Sequence, residues 1–311
     1  MNNDTNLAIE AKALNKTYLQ KNNKNVNALI DFNINVPRGV TFGLLGPNGA
    51  GKSTFINILA GLVKKNSGEV KISGLDIDKH SKKTRNLIGI VPQELNMDPF
   101  FTPFELLEMQ CGLYGIKKKN RKIDEILERV GLINQKNAYA RSLSGGMKRR
   151  LLIAKALIHN PEVVILDEPT AGVDVELRKS LWKYIKELNE NNITVCLTTH
   201  YLYEAQELCD YIAIINNGKI IISESRKKIL DTIKSKTVYF YLDYNLKEIP
   251  DSLKKYDLSI DNKILKLKYE KGNDTLNNII KDLNYASIKF KEINTYDTNL
   301  EDVFTELTKN N

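Results

Sequence analysis

Residues 46–53 read Gly-Pro-Asn-Gly-Ala-Gly-Lys-Ser, the spacing G-x-x-x-x-G-K-[ST]. Between a strand and a helix, that spacing makes a phosphate-binding loop, or P-loop. Gly46, Gly49 and Gly51 let the backbone of a loop completed by Pro47, Asn48 and Ala50 wrap an anion without side-chain clash. Its amide N–H groups converge on phosphate oxygens at the positive end of the following helix. Lys52 adds a point charge toward the β- and γ-phosphates of a nucleotide. The Ser53 hydroxyl is a hard oxygen suited to Mg²⁺, and Thr54 can donate to the α-phosphate. A second cluster, Asp167-Glu168, closes the apolar run 163–166. Ligands of open α/β sheets sit at such strand ends. Asp167 is placed to hold Mg²⁺ through water, and Glu168 to polarise an attacking water. Together the two clusters imply phosphoryl transfer to water, in which positioning and charge stabilisation dominate.

Between them lies Leu143-Ser144-Gly145-Gly146-Met147. Ser144, Gly145 and Gly146 open a helix over 147–158 and so form a second anion-binding helix end. One nucleotide does not need two such ends from one chain. The economical reading is that this end serves the nucleotide of another subunit.

The elements that must position these residues alternate. Apolar runs at 40–45, 70–72, 88–91, 163–166, 194–198 and 212–215 predict strands, preceded by strands at 7–14 and 31–36. Helical patterns fill 54–62, 104–114, 122–130, 146–158 and 175–188. Strands alternating with helices predict an α/β fold around a parallel sheet. Asn217-Gly218 predicts a hairpin joining 212–215 to 219–222. Composition changes near residue 224: after Gly218 the chain contains a single glycine, Gly272. The expected domains are therefore 1–223, a nucleotide-binding domain, and 224–311, a small α+β accessory domain. In the tail, strands at 238–242, 258–260, 264–269 and 287–293 and helices at 246–256 and 275–283 give the β-α-β-β-α-β order of ferredoxin-like units. A last amphipathic helix is expected at 300–307.

A length of 311 residues suffices for one large or two unequal domains. The balance of apolar and charged residues excludes collagen, a disulfide scaffold and a mainly disordered chain. No apolar run approaches the ~18–20 residues of a membrane-spanning helix. The opening Met-Asn-Asn-Asp-Thr-Asn carries neither the basic nor the apolar region of a signal peptide. Cys111, Cys196 and Cys209 stand far apart without metal spacing, which fits reduced thiols in a cytosolic protein. The net charge of +8 lies mostly in the first 222 residues, with 30 basic and 23 acidic residues against 16 and 15 beyond. Runs such as 117–119 and 148–150 read as solvated faces or as part of a field that attracts nucleotide or faces a membrane.

The three motifs in this order resemble those of the ATP-binding cassette (ABC) ATPases, whose signature is the Leu-Ser-Gly-Gly stretch. The family usually has Gln where this chain has Met147; methionine is common in exporter-type members. The resemblance runs from about residue 7 to 222. It implies a P-loop NTPase core with an antiparallel β subdomain and a helical subdomain, and ATP and Mg²⁺ as cofactors. It also implies roles for residues that spacing alone leaves open. Gln93, after the strand 88–91, would contact Mg²⁺ or the water and touch the helical subdomain. Asp174, in Ala171-Gly172-Val173-Asp174, would lie on a loop crossing a dimer interface. His200 would hydrogen-bond the γ-phosphate, and Tyr18 would stack on adenine, as aromatic side chains do on bases.

Residues 99–103, 170–178 and 299–304 are similar to those of ATPases serving type-2 drug and polysaccharide exporter permeases. The resemblance thus implies an ATP-hydrolysing exporter subunit. Two copies, or this chain and a related ATPase, would sandwich two MgATP and drive a separate membrane permease. The chain would sit peripherally on the cytoplasmic face of the cell membrane, with no nucleic-acid partner. The permease is expected to dock between Gln93 and Arg141, where Met97, Phe100, Phe101 and Phe104 cluster. The alternatives are a soluble ABC ATPase acting on a non-membrane partner, a non-catalytic nucleotide-binding module, and an importer ATPase. A single P-loop and a single Leu-Ser-Gly-Gly, with no long insertion between Ser53 and Asp167, oppose the first. Intact Lys52, Asp167, Glu168 and His200 oppose the second.

Overall fold

The computed structural model describes residues 6–19, 25–232, 235–246, 248–270, 276–296, 300–301 and 303–304. The chain divides into two compact units after Arg226. The first runs β1 (Leu7–Leu19), β2 (Asn25–Pro37), β3 (Thr41–Leu45), α1 (Lys52–Leu59), β4 (Ser67–Ile72), β5 (Leu75–Asp76), α2 (Ser81–Leu87), β6 (Ile88–Val91), α3 (Pro103–Leu113), α4 (Ile123–Arg129), α5 (Gly145–Leu157), β7 (Val163–Asp167), α6 (Val175–Glu190), β8 (Thr194–Thr199), α7 (Leu202–Leu208), β9 (Tyr211–Asn216) and β10 (Lys219–Ser225). Helix α8 (Arg226–Thr232) follows.

Among the described residues, a six-stranded sheet has the order β10-β9-β3-β8-β7-β6. All its pairs are parallel except the β9–β10 hairpin. Strands β3 and β8 are buried along their whole length, as strands covered on both faces must be. That burial explains their unbroken apolar runs. The C-terminal ends of β3, β6, β7 and β8 therefore deliver loop 46–51, Gln93, Glu168 and His200 to one edge of one sheet.

A second sheet, β2-β1-β4-β5, is antiparallel. Its alternating inner face, including Leu14, Phe32, Ile34 and Val70, packs with α1 and β3 in one core. Phe32 and Phe55, both fully buried, meet with ring centroids 4.8 Å apart. β1 extends five residues beyond the predicted 7–14. The alternation is interrupted because Ala13 adopts φ +48°, with register shifts around Leu14. There Gly68 passes so close that a Cβ would lie 2.4 Å from the Ala13 carbonyl oxygen.

The third part is helical. Leu106, Leu107, Leu127, Leu132, Leu151 and Ile158 tie α3, α4 and α5 into a separate core. α3 starts on a capping box, Thr102 with Glu105, and has Pro103 in its first turn, each favouring a helix start. All three cysteines are buried and free. Burial pushes the Cys196 thiol up to about 12 and Cys209 well above its ordinary value.

The second unit contains β11 (Ser235–Leu242), β12 (Asp257–Asp261), β13 (Ile264–Glu270), α9 (Leu276–Tyr285) and β14 (Phe290–Tyr296). Its sheet order is β12-β13-β11-β14, with every neighbouring pair antiparallel. β11 and β12 are thus parallel but separated by β13, the arrangement of a split βαβ unit. The helix expected at 246–256 does not form. A 3-10 turn at Asp251–Leu253 stands there instead. Leu246, Ile249, Leu253 and Tyr256 have helical spacing and do pack into the core, but Pro250 sits among them. A proline inside a helix removes a backbone hydrogen bond and clashes with the preceding turn. Half of the helix expected at 300–307, part of the exporter-like stretch 299–304, and residues 1–5 lie outside the described residues.

Candidate nucleotide site

Loop 46–51 is clamped from behind and open in front. A Cβ on Gly46 would lie 2.3 Å from the Ile215 carbonyl oxygen, and one on Gly51 2.5 Å from that of Ala28. Gly51 also has φ +115°, a conformation that glycine adopts without steric cost. The Gly218 N–H donates to the Ala50 carbonyl at 2.9 Å, and the Ile30 N–H to the Gly218 carbonyl at 2.9 Å. Strand β2 and the β9–β10 hairpin thereby fix the loop. Pro47, Asn48 and Gly49 on its rim are exposed, and nothing lies within 4 Å of where a Gly49 Cβ would stand. α1 begins at once with Lys52, so the rim and the helix N-terminus form a cradle of positive field.

Lys52 is buried. Its Nζ donates to the carbonyl oxygens of Gly46 at 2.7 Å and Pro47 at 3.1 Å, and lies 3.9 Å from Glu168 Oε1. Burial lowers its pKa, while the carboxylates of Glu168 and Asp167 oppose that fall. The side chain is a cation held by weak neutral acceptors, which phosphate oxygens can replace with charge-assisted bonds. Ser53 is exposed and Thr54 half-buried in the same turn.

Glu168 is where the strand ends converge. Gln93 Nε2 donates to its Oε2 at 3.2 Å, and His200 Nδ1 lies 3.2 Å from its Oε1. Its backbone has φ +46°, a strained conformation for a non-glycine residue costing on the order of 1–3 kcal/mol. Thr198 holds it there. The Glu168 N–H donates to Thr198 Oγ1 at 3.0 Å and to the Thr198 carbonyl at 3.2 Å, and the same hydroxyl donates to Asp167 Oδ1 at 2.5 Å. One buried threonine thus holds the Asp167 carboxylate and the Glu168 backbone together. In the sequence Thr198 is an ordinary strand residue with no evident role. Its signal is the β7–β8 register, which pairs Asp167 with Thr198.

Tyr18 lies opposite Val26 in the β1–β2 ladder, half-buried, with Lys16 Nζ 4.8 Å from its ring centroid. Two and three residues further along β2, Ala28 and Leu29 are the side of the cradle that Gly51 touches.

Ser144, Gly145, Gly146 and Asp174 stand apart. Ser144 caps α5, its Oγ accepting from the Met147 N–H at 3.2 Å, and Asp174 caps α6, its Oδ1 accepting from the Leu177 N–H at 2.8 Å. Ser144, Gly145 and Asp174 are exposed. Gly146 is a packing glycine: a Cβ there would lie 2.9 Å from Leu177 Cδ2, whereas one on Gly145 would meet open space. Among the described residues, no hydrogen bond or ion pair joins these four to Lys52, Gln93, Glu168 or His200.

Hard oxygens at Ser53 and Asp167, with the Gln93 amide, fit Mg²⁺, which is usually held by one or two carboxylates, substrate phosphates and water. Among the described residues, no cluster of three His, Cys, Asp or Glu suits a metal held by protein alone.

This geometry coincides with a match to known proteins. Residues 29–171 match the family described as ABC transporter. Over 232 residues the chain is 38% identical to the linearmycin resistance ATP-binding protein LnrL of Bacillus subtilis (strain 168), covering 74% of this chain and 73% of that protein. It is 39% identical over 204 residues to Nod factor export ATP-binding protein I of Cupriavidus pinatubonensis, covering 65% of this chain and 63% of that one. Among solved structures, the dimeric bacterial ABC transporter cassette MJ0796 superposes with a TM-score of 0.63 at 29% identity, covering 70% of this chain and 98% of the cassette. A post-hydrolysis form of MJ0796 bound to ADP and Pi gives 0.62. The chain belongs to the ATP-binding proteins of the ABC transporter family. It has their fold, and it is an ATPase acting on ATP with Mg²⁺.

Proposed function

We propose that this chain powers export through a separate membrane permease, and that two copies, or one copy and a related ATPase, bind two MgATP between them. The observation that carries its catalytic half is the meeting of Lys52, Gln93 and His200 on the Glu168 carboxylate beside the loop. Glu168 accepts a proton from the attacking water. Gln93 and His200 hold that carboxylate and the water, and His200 also reaches the γ-phosphate. Lys52 moves from its loop carbonyls to the β- and γ-phosphates, which the amides of Gly46–Lys52 surround. Tyr18 stacks on the adenine. Ser53, Asp167 and Gln93 would hold Mg²⁺, which when bound neutralises charge on the phosphate oxygens.

The separation of the site residues into two groups supports a shared site. Ser144, Gly145 and Asp174 are exposed, and the side chains of Ser144 and Asp174 cap their own helices. They are available to the γ-phosphate and the loop of an opposed copy. A structural neighbour, the MJ0796 cassette, is itself dimeric. The names of the relatives favour export over import. No helix among the described residues is long and apolar enough to cross a membrane; in this reading a separate permease moves the cargo, and the chain docks at its cytoplasmic side.

The test is Glu168→Gln. Steady-state hydrolysis should fall by ~10²–10⁴, the usual worth of a general base, with ATP binding retained and an ATP-bound dimer accumulating on sizing columns. Near-normal turnover would overturn the reading.

A further inference from the structure

Among the described residues, Arg149 carries a charge into the interior of the first unit without an ion-pair partner. It is 3% exposed. Its Nη1 donates to the Pro92 carbonyl at 2.8 Å, and its Nε has no hydrogen-bond partner. Burial lowers its pKa, and the charge of Asp167 works against that fall. A buried guanidinium so sparsely satisfied is costly, so what its one strong bond controls is informative.

That bond controls Gln93. The Pro92 carbonyl and the Gln93 N–H belong to one planar peptide unit. Holding the oxygen fixes the plane from which the Gln93 side chain departs toward Glu168. Arg149 itself rides on α5, whose first turn carries Ser144, Gly145 and Gly146. β6, which ends one residue before Pro92, lies hard against α5: a Cβ on Gly89 would sit 2.1 Å from the Ala156 carbonyl oxygen. α5 thus meets the backbone of β6 at Gly89 and reaches the peptide just beyond it through the charge-assisted hydrogen bond from Arg149 to Pro92. Through that hydrogen bond a tilt of α5 about the Gly89 contact would turn the 92–93 peptide.

We propose that Arg149 is a positioning residue for hydrolysis, which makes the grip of Gln93 on Glu168 depend on where α5 stands. This rests on the reading of Glu168 as general base. In a dimer, contact at the N-terminus of α5 would then be registered at Gln93 of the same chain.

The experiment is a double-mutant cycle on the full-length protein with Arg149→Gln and Gln93→Ala, following kcat and KM for ATP, with Glu168→Gln as the control. Arg149→Gln should lower kcat about tenfold, which is about 1.4 kcal/mol of barrier, with KM changed less than about twofold, since no phosphate contact is lost. Arg149→Lys, which keeps the charge and one donor, should restore part of kcat. In the Gln93→Ala background Arg149→Gln should cost nothing further in kcat, because coupled residues are non-additive. An equal fold-loss in both backgrounds, with Glu168→Gln inactive, overturns the Arg149 link alone. Turnover that survives Glu168→Gln overturns the catalytic reading and this inference with it. If Arg149→Gln does not fold, the cycle is run with Arg149→Lys, and the same two outcomes decide.

Discussion

Thr198 shows how much of a site can depend on one hydroxyl. It bonds Asp167 Oδ1 and the Glu168 N–H while fully buried, holding a left-handed glutamate in place. Thr198→Val keeps shape and β-propensity and removes only the hydroxyl. An unmet buried partner costs about 1–3 kcal/mol, so the urea midpoint should drop. Turnover should fall about tenfold or more as the Asp167 carboxylate and the Glu168 backbone lose their shared anchor. Wild-type kcat in this variant, alongside a lowered midpoint, would show that the hydroxyl only stabilises. Gly146 and Gly145 make a similar contrast: adjacent and identical in type, one is needed to let α5 pass Leu177 and the other faces open space.

Among the elements, α5 has the most consequences. Its first turn is the exposed Ser144 end, its middle packs in the helical core through Leu151 and Ala154, Ala156 meets β6, and Arg149 meets Pro92 just beyond it. If the Ser144 end completes the nucleotide site of an opposed copy, two different lesions should complement. A Lys52→Ala chain mixed with a Ser144→Arg chain leaves one composite site of the heterodimer intact, since both lesions fall in the other. Each variant alone has both sites damaged. ATPase activity should therefore rise on mixing above that of either variant. Proven heterodimers that stay at the single-variant level would count against a shared, independently acting site.

At the scale of the molecule, the apolar side chains expected at the permease interface are divided in two. Met97 and Phe104 pack on the helical core. Phe100 is 66% exposed and Phe101 37%, and the Arg141 guanidinium lies over the Phe100 ring at 5.6 Å. Clustered exposed aromatics mark interaction sites, and a cation above one gives the patch a polar edge. Replacing Phe100 and Phe101 by Ser should leave soluble ATP binding and the melting temperature unchanged while recovery with the membrane fraction drops. Undiminished membrane recovery would place docking elsewhere.

The local chemistry of this protein is legible in its sequence because it is contiguous. The loop 46–53, the pair Asp167-Glu168 and the cap at Ser144 each declare themselves within a few residues, and strand-to-helix order identifies the edge that receives them. Buried strands are equally legible, since a strand covered on both faces must be apolar throughout. Tertiary structure decided the rest. Thr198 matters through a register between strands, and Arg149 through a carbonyl 57 positions away, and neither separation leaves a local pattern. The helical spacing of Leu246, Ile249 and Leu253 predicted a helix because burial and periodicity agreed, yet a proline removed the backbone bond and left only the burial. A sequence specifies which groups can bond locally. Which distant ones they meet depends on how the layers close over one another.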